Sequence, residues 1–370
     1  FTTGIVSKAA FEAAEGATDQ EKSAAIFAAG GPGAGSGPYY LCGFEQGTSM
    51  EFCANKHYWR NGADGKPLPY LDGVHFEIIP DDATRILKLQ AGEVDVAEFI
   101  PFSRVPELQA DPQIGMNLYP STRIIYSPIN TRETREDGSA NPMADPRVRQ
   151  ALNYATNKEA LIGLVLQGAG KPMTSPLMAA ATQLAADLDP LYRYDMEKAQ
   201  ALIAEAGIAP GTEVTFTTLA GSADDSTIFA ALQQMWAPLG IKLKVEQVDG
   251  ATRGAKNRSG DFDIHTYGWV NDVNDPSQVT GWLGYTPTAN AVGTGWENAK
   301  FNELFEASAT EMDVETRAAQ YAEMQKIYAE EAPLLFMYET PFAVAVSTAV
   351  EGYVQTPLGN NVFEEASVSR

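Results

Sequence analysis

The sequence predicts an α/β fold. Short β-branched runs such as Glu213–Leu219 and Ile241–Val248 alternate with longer stretches of helical spacing such as Met196–Ala206 and Ser226–Leu239. With 370 residues, 44% hydrophobic and 20% charged, the chain has the length for two or three domains with sizeable cores. The third observation is a helix pair written with its punctuation at Asp145–Leu161, D-P-R-V-R-Q-A-L-N-Y-A-T-N-K-E-A-L. Asp145 is a good N-cap, and Pro146 takes the first helical position, where a missing N–H costs nothing. Val148, Ala151, Leu152 and Ala155 recur at helical spacing and form one stripe to be buried. Asn157 caps a second helix carrying Ala160, Leu161, Leu164 and Val165, stopped at Gly168.

The remaining elements follow in chain order. Residues 1 to about 30 carry alanine-rich helical text, and G-G-P-G-A-G-S-G-P-Y follows from Gly30. That run lacks the Lys and Ser/Thr of a phosphate loop, and a strand follows it rather than a helix, so it reads as a turn. Tyr39–Trp59 alternates like two strands joined at Gln46-Gly47-Thr48-Ser49. A turn centred on Gly47 and Thr48 sets Cys42 directly opposite Cys53, within disulfide reach; the alternative is two reduced thiols on a hairpin. These are the only two cysteines, and a bridge between them implies an oxidising compartment such as the periplasm. After the loop Asn61–Pro69 come a strand in Val74–Pro80 and an amphipathic helix Asp82–Gln90, with Ile86, Leu87 and Leu89 for the core. Strands are expected at Val94–Phe99 and around Met116–Tyr119, with a helical piece Val105–Leu108 between them. The apolar strand Ile124–Thr131 marks a change of domain and runs into the polar loop Arg132–Pro142. Beyond the helix pair lie a proline-rich link, Lys171–Met178, a strand Asp263–Trp269, a helix-rich stretch Asn298–Glu331 and an extended segment Leu334–Val346.

A net charge of −22 disfavours nucleic acid and anionic membrane surfaces as partners. No apolar run is long enough to span a bilayer. His57, His75 and His265 are scattered, H-E-x-x-H is absent and no thiols cluster, so no metal ligand is assigned. Asp261, Asp263 and His265 share one face at period two; with Phe262 and Ile264 inward, a solvated strand face is expected rather than a metal fragment. Asn271–Asp275 does not follow calcium-loop spacing, and no carboxylate pair stands out for hydrolysis. No catalytic residue and no cofactor is assigned.

The best candidate for a ligand wall is Tyr267–Tyr285, Y-G-W-V-N-D-V-N-D-P-S-Q-V-T-G-W-L-G-Y. Tyr267 and Trp269 end a strand, Asn271–Pro276 is turn chemistry, and loops at strand ends are where open α/β sheets bind ligands. Trp282 and Trp296 are stacking candidates for a sugar or a peptide side chain, with ordinary packing as the equal alternative. Arg253 and Arg258 read as surface charges.

Several segments resemble, in the same order, the extracytoplasmic solute-binding proteins of dipeptide, oligopeptide and nickel ABC transporters. They are Asp145–Leu161, G-S-G-P-Y-Y-L (Gly35–Leu41), N-K-H-Y-W (Asn55–Trp59), P-Y-L-D-G-V-H-F-E-I-I-P-D-D-A-T-R (Pro69–Arg85), A-G-E-V-D-V-A-E (Ala91–Glu98), Y-D-M-E-K-A-Q-A-L-I-A-E-A-G (Tyr194–Gly207) and G-D-F-D-I-H-T-Y-G-W (Gly260–Trp269). The resemblance implies a two-lobed periplasmic-binding-protein (Venus flytrap) fold of mixed sheets flanked by helices. Residues 1–127 would belong to lobe I, 128–340 to lobe II, and 341–370 would return to lobe I, with crossings at Tyr126–Thr131 and Phe336–Val346. It implies a monomer in the periplasm or another extracytoplasmic space that captures peptides or related small solutes between two lobes and delivers them to an ABC permease. By alignment on G-W and the later D-P, Asp272 would pair with a peptide's α-ammonium group, with Trp269, Tyr267, Asn271 and Trp282 beside it; capping of the turn is its bland alternative. Ser226 and Thr227 stand where the dipeptide branch carries a carboxylate-binding Arg, a departure that opens longer peptides and other ligands. The alternatives are an oligosaccharide or opine stacked on Trp269 and Trp282, an acidic extracytoplasmic hydrolase, and a sensor docking on a receptor. The opening F-T-T-G-I-V, with neither Met, signal peptide nor lipoprotein-type Cys, is expected to continue from a longer protein.

Overall fold

A computed structural model describes residues 6–28, 34–288 and 292–369; Gly30–Gly33 of the glycine run lie outside them. The chain forms two compact units, one of residues 1–98, 107–117 and 344–370, the other of 99–106 and 118–343. Its backbone therefore passes from one to the other at 98/99, 106/107, 117/118 and 343/344. The strand Ile124–Pro128 lies within the second unit. Hydrogen bonding of Ile124–Pro128 to strands on both sides holds it there. Among the described residues no helix is long and apolar enough to cross a membrane.

In the first unit the helices Lys8–Ala13 and Asp19–Ala28 precede a three-stranded antiparallel sheet of Tyr39–Glu45, Ser49–Ala54 and Gly73–Glu77. Cys42 and Cys53 are joined, with 5.8 Å between their Cα atoms. The route to the bridge differs from the expected one. Glu45 pairs with Ser49, so three residues form the turn, with Gly47 at φ +77° and the Thr48 N–H donating to the Glu45 carbonyl at 3.0 Å. The register shifts again between Leu41 and Gly43, which leaves Cys42 as the extra residue of a bulge, and Tyr40 rather than Cys42 faces Cys53. The bridge is diagonal. The helix Asp82–Gln90 buries Ile86 and Leu89, but Leu87 is exposed because it falls on the opposite side. The expected Val94–Phe99 strand shrinks to Val96–Ala97, paired with Val346 and Ala345. The C-terminal segment is tied in by Glu98, whose carboxylate accepts from Gln355 at 2.7 Å and Asn361 at 3.1 Å.

Among the described residues the second unit has two sheets. Tyr267–Trp269, Ile124–Pro128, Leu334–Glu339 and Lys171–Pro172 form an antiparallel one in that order; Ile264–His265, Thr212–Leu219 and Ile241–Val248 form a parallel one. The single strand expected over Asp263–Trp269 is thus two strands in two sheets. The break is at Thr266, whose N–H donates to the Thr217 carbonyl at 3.2 Å and whose hydroxyl donates to Asp225 at 2.5 Å. The expected Ser226–Leu239 helix starts earlier, at Ala223, because Ser222 caps it, and tightens to a 3₁₀ turn at Ala237–Leu239.

The helix pair forms as written. Asp145 accepts from the Arg147 N–H at 2.8 Å, Asn157 from the Ala160 N–H at 2.9 Å, and the stripe Val148, Ala151, Leu152 and Ala155 is fully buried. Two polar residues share that burial. The Arg149 guanidinium makes five hydrogen bonds to four backbone carbonyls, those of Met143, Ala144, Glu331 and Ala332, at 2.6–3.2 Å. Asn153 donates to the Leu334 carbonyl and accepts from the Phe336 N–H, both at 3.0 Å. The first helix is thereby fixed to the end of the helix Val314–Glu331 and to the start of the strand Leu334–Glu339.

Two outcomes are expected. Thiol titration of unfolded, unreduced protein finds no free thiol, and finding two would remove the bridge. Arg149→Met strands four carbonyls, two of them buried, and lowers unfolding free energy by about 3 kcal/mol or more in urea titrations; Arg149→Lys falls similarly, because one ammonium cannot reproduce a five-donor fork. A loss below about 1 kcal/mol would make the network dispensable.

Candidate ligand-binding site in the second unit

The Tyr267–Trp269 strand lies antiparallel to Ile124–Pro128, with Tyr267 opposite Tyr126 and Trp269 opposite Ile124. The half-buried Tyr267 ring sits 6.0 Å from Tyr126 and 5.8 Å from His265. Arg253 is not the expected surface charge. Its guanidinium is half-buried 5.8 Å from the Tyr267 ring, an arrangement the ring quadrupole favours, while Arg258 is exposed.

Beyond the strand the chain is held by side-chain amides. Trp269 Nε1 donates to Asn271 Oδ1 at 3.0 Å, and the buried Asn271 donates from Nδ2 to Thr182 Oγ1 at 3.2 Å. The Trp269 and Trp282 rings lie 6.4 Å apart, tilted by 35°. Asp272 is exposed; its N–H donates to Gln278 Oε1 at 2.9 Å and its carboxylate accepts from Gln278 Nε2 at 2.5 Å. Asp275 caps the helix Pro276–Leu283 and takes both arms of Arg317, each at 3.1 Å. Partial burial pushes the Asp275 carboxyl up, but donors from Arg317 and Ser277 hold it below its ordinary range. Tyr267, Trp269, Asn271, Asp272 and Trp282 therefore stand on one strand–loop–helix unit. Thr182 and Gln278 complete it without having been singled out in the sequence; Thr182 lies 89 positions from its partner Asn271.

Other sequence candidates go elsewhere. Trp296 is buried, donates from Nε1 to Glu331 at 2.6 Å and packs edge-on against Phe301 and Tyr328, so it belongs to the core. The hydroxyls of Ser226 and Thr227 each donate to a helix carbonyl at 2.9 Å. His57 and His75 are exposed in the first unit. Among the described residues no three His, Cys, Asp or Glu side chains are grouped to hold a metal ion.

Asp263 and His265 correct the solvated-face expectation, for both are buried. Arg135 covers Asp263 with two hydrogen bonds, at 2.6 and 3.1 Å, and the Thr215 N–H donates to it at 2.9 Å. His265 packs edge-on to Phe262 at 4.6 Å, with Nδ1 3.0 Å from the Thr266 carbonyl and Nε2 3.2 Å from Asn257 Oδ1. Burial pushes the imidazole down to about 4. A cavity of about 570 Å³ lies near Asp263; it is lined by the ion pairs Lys244–Glu213, Lys256–Glu246 and Lys256–Asp261 together with Glu136 and Asp137, and it shares no residue with the aromatic loop.

Residues 5–291 match the family described as bacterial extracellular solute-binding proteins, family 5 Middle. The chain belongs to this family. Heme-binding protein A of Haemophilus influenzae is 28% identical over 339 residues, which cover 90% of this chain and 59% of that protein. The dipeptide-binding protein of Escherichia coli is 27% identical over 344 residues, covering 90% and 61%. The chain thus spans less than two thirds of the length of either relative. A crystal structure of a Pseudoalteromonas dipeptide-binding protein in complex with Met-Leu superposes with a TM-score of 0.80 at 22% identity, over 91% of this chain and 65% of that one. The fold is therefore that of the family 5 solute-binding proteins, with mixed sheets flanked by helices.

The His265 environment sets a pH dependence. The unfolded imidazole takes up a proton near pH 6.5, the folded one only near 4, so stability is constant above about 6.5 and falls as pH drops from 6.5 to 4. The loss should reach about 3 kcal/mol at roughly 1.4 kcal/mol per unit. Urea titrations across that window read it directly. His265→Gln should flatten the slope by this amount, and an unchanged slope would assign acid sensitivity to other groups.

Proposed function

We propose that this chain is part of the ligand-binding component of an ABC importer, which captures short peptides or related small solutes and presents them to a membrane permease. The observation that carries this reading is the Tyr267–Trp282 unit: aromatic rings and amides on a fixed loop, with an exposed carboxylate beside them. Family membership and the dipeptide-binding relatives support it. In this reading the protein works as an extracytoplasmic monomer without a cofactor and performs no chemistry. Ligand stabilises one conformation, and that conformation is what the permease recognises.

Asp272 is the proposed partner of the ligand's α-ammonium group. A carboxylate accepting a charged N–H donor gains more than a neutral acceptor would, and more again when ligand excludes water from it. Gln278 fixes its position through two hydrogen bonds, so little side-chain freedom is lost on binding.

Native mass spectrometry of the full-length protein with a short-peptide library tests the reading. Retention of peptide is expected, and Asp272→Asn should weaken the retained peptides by about 2 kcal/mol, roughly thirtyfold in Kd by calorimetry. Absence of any retained peptide would overturn the peptide reading; unchanged affinity in Asp272→Asn would remove Asp272 from the site.

A further inference from the structure

The second unit contains an arginine whose setting differs from that of its neighbours. Arg135 forks onto Asp263, Arg147 onto Asp145, Arg317 onto Asp275, and Arg149 binds backbone carbonyls. Arg123 is half-buried, yet among the described residues no carboxylate lies within ion-pair distance of it and its guanidinium makes no hydrogen bond. Its backbone is fixed, the N–H donating to Ser121 Oγ at 3.0 Å and the carbonyl accepting from Thr340 at 3.1 Å. A partly desolvated guanidinium with no carboxylate in contact keeps its donors available to an anion from solution. Burial pushes the guanidinium pKa down, against the nearby Tyr338, Asp224 and Asp225. Asp225 is already engaged with the Leu219 N–H at 2.8 Å and the Thr266 hydroxyl at 2.5 Å.

Two further features converge on the same place. The Arg123 guanidinium lies 5.2 Å from the Phe99 ring centroid. Phe99 is 55% exposed and has a φ of +53°, a conformation that a bulky aromatic residue rarely holds and that tends to mark functional positions. Gly268, exposed on the Tyr267–Trp269 strand, is also close; a Cβ there would stand 3.8 Å from Arg123 Nε. Since Trp269 faces Ile124, Arg123 sits at the end of the strand pair from which the Asn271–Pro276 loop leaves.

We propose that Arg123, backed by Phe99, is the anion-binding residue of this site and receives a carboxylate of the ligand. A planar guanidinium takes a carboxylate through two parallel N–H···O bonds, and the aromatic ring behind it orients the fork. The inference rests on the binding role given above and narrows it: Asp272 answers a cationic group and Arg123 an anionic one, so the ligand class is a zwitterion with a free carboxylate. A short peptide with an unblocked C-terminus fits, and an amino-acid conjugate such as an opine shares that chemistry.

The test uses full-length protein and two matched short-peptide libraries, one with free and one with amidated C-termini, alongside a panel of opine-type carboxylic acids. Wild-type protein should bind free-acid peptides at least tenfold tighter than their amides. Arg123→Gln should remove that difference while leaving amide affinity unchanged, and Arg123→Lys should restore part of it. Should the variants fail to fold, the wild-type ratio of free acid to amide decides alone. Equal binding of acid and amide would overturn the Arg123 assignment and leave the peptide reading standing. Arg123-dependent binding of the acid panel with no peptide bound would keep the anion site and overturn the peptide reading. Binding of neither would overturn both.

Discussion

The second unit depends on how Arg149 and Asn153 are satisfied. Both lie on a helix whose apolar stripe is fully buried, so any polar group on that face must find its partners inside the protein. Arg149 finds four carbonyls, and Asn153 finds a donor and an acceptor on one strand. Those carbonyls include the last ones of the helix Val314–Glu331, which have no partners within that helix. A cation there also meets the negative end of the helix dipole. Burial lowers the guanidinium to about 10, which leaves it charged at neutral pH. One short helix thus fixes the long helix and the strand Leu334–Glu339 together.

That strand carries the consequence to the site. Leu334–Glu339 pairs with Ile124–Pro128, which pairs in turn with Tyr267–Trp269, so the Tyr267–Trp269 strand is two hydrogen-bonded ladders away from Asn153. Its other end is set by the break at Thr266. There the chain leaves a parallel sheet for an antiparallel one, and Asp225 holds both the Thr266 hydroxyl and the Leu219 N–H. The change of sheet delivers Tyr267 and Trp269 beside the Ile124–Pro128 strand and hands the chain to the loop that ends at Asp275.

Much of this was legible in local chemistry. Asp145 and Asn157 cap as their types require, and Ile241–Val248 spans the residues its alternation marked. The aromatic and amide content of Tyr267–Trp282 marked candidate residues, and these lie together on one strand, loop and helix. What escaped depends on distant partners. Asn271 meets Thr182 across 89 positions, and Trp296 is core because Phe301 and Tyr328 surround it. Period-two logic failed at Asp263 and His265, since the strand has only two residues and Arg135, Asn257 and Phe262 cover what would have been its wet face. The Cys42–Cys53 bridge was legible as a pairing but not as a geometry, because a bulge leaves little trace in composition.

Three buried cationic or basic groups with lowered proton affinity serve the interior. His265 faces a backbone carbonyl and an amide, Lys158 donates to the Leu191 carbonyl, and Arg149 is enclosed by carbonyls. The candidate site is built differently. Its loop is rigid through neutral amides, Asn271 on Thr182 and Gln278 on Asp272, and through the Asp275–Arg317 fork at the helix start. Such a loop holds its donors and acceptors in place before anything binds. The entropy of ordering it was met on folding, so ligand contacts contribute more of their free energy to affinity. Preorganised polar groups beside two tilted indoles are what a receptor for small polar solutes requires, and the fixed backbone of Asn153, Leu334–Glu339 and Ile124–Pro128 is what keeps them aligned.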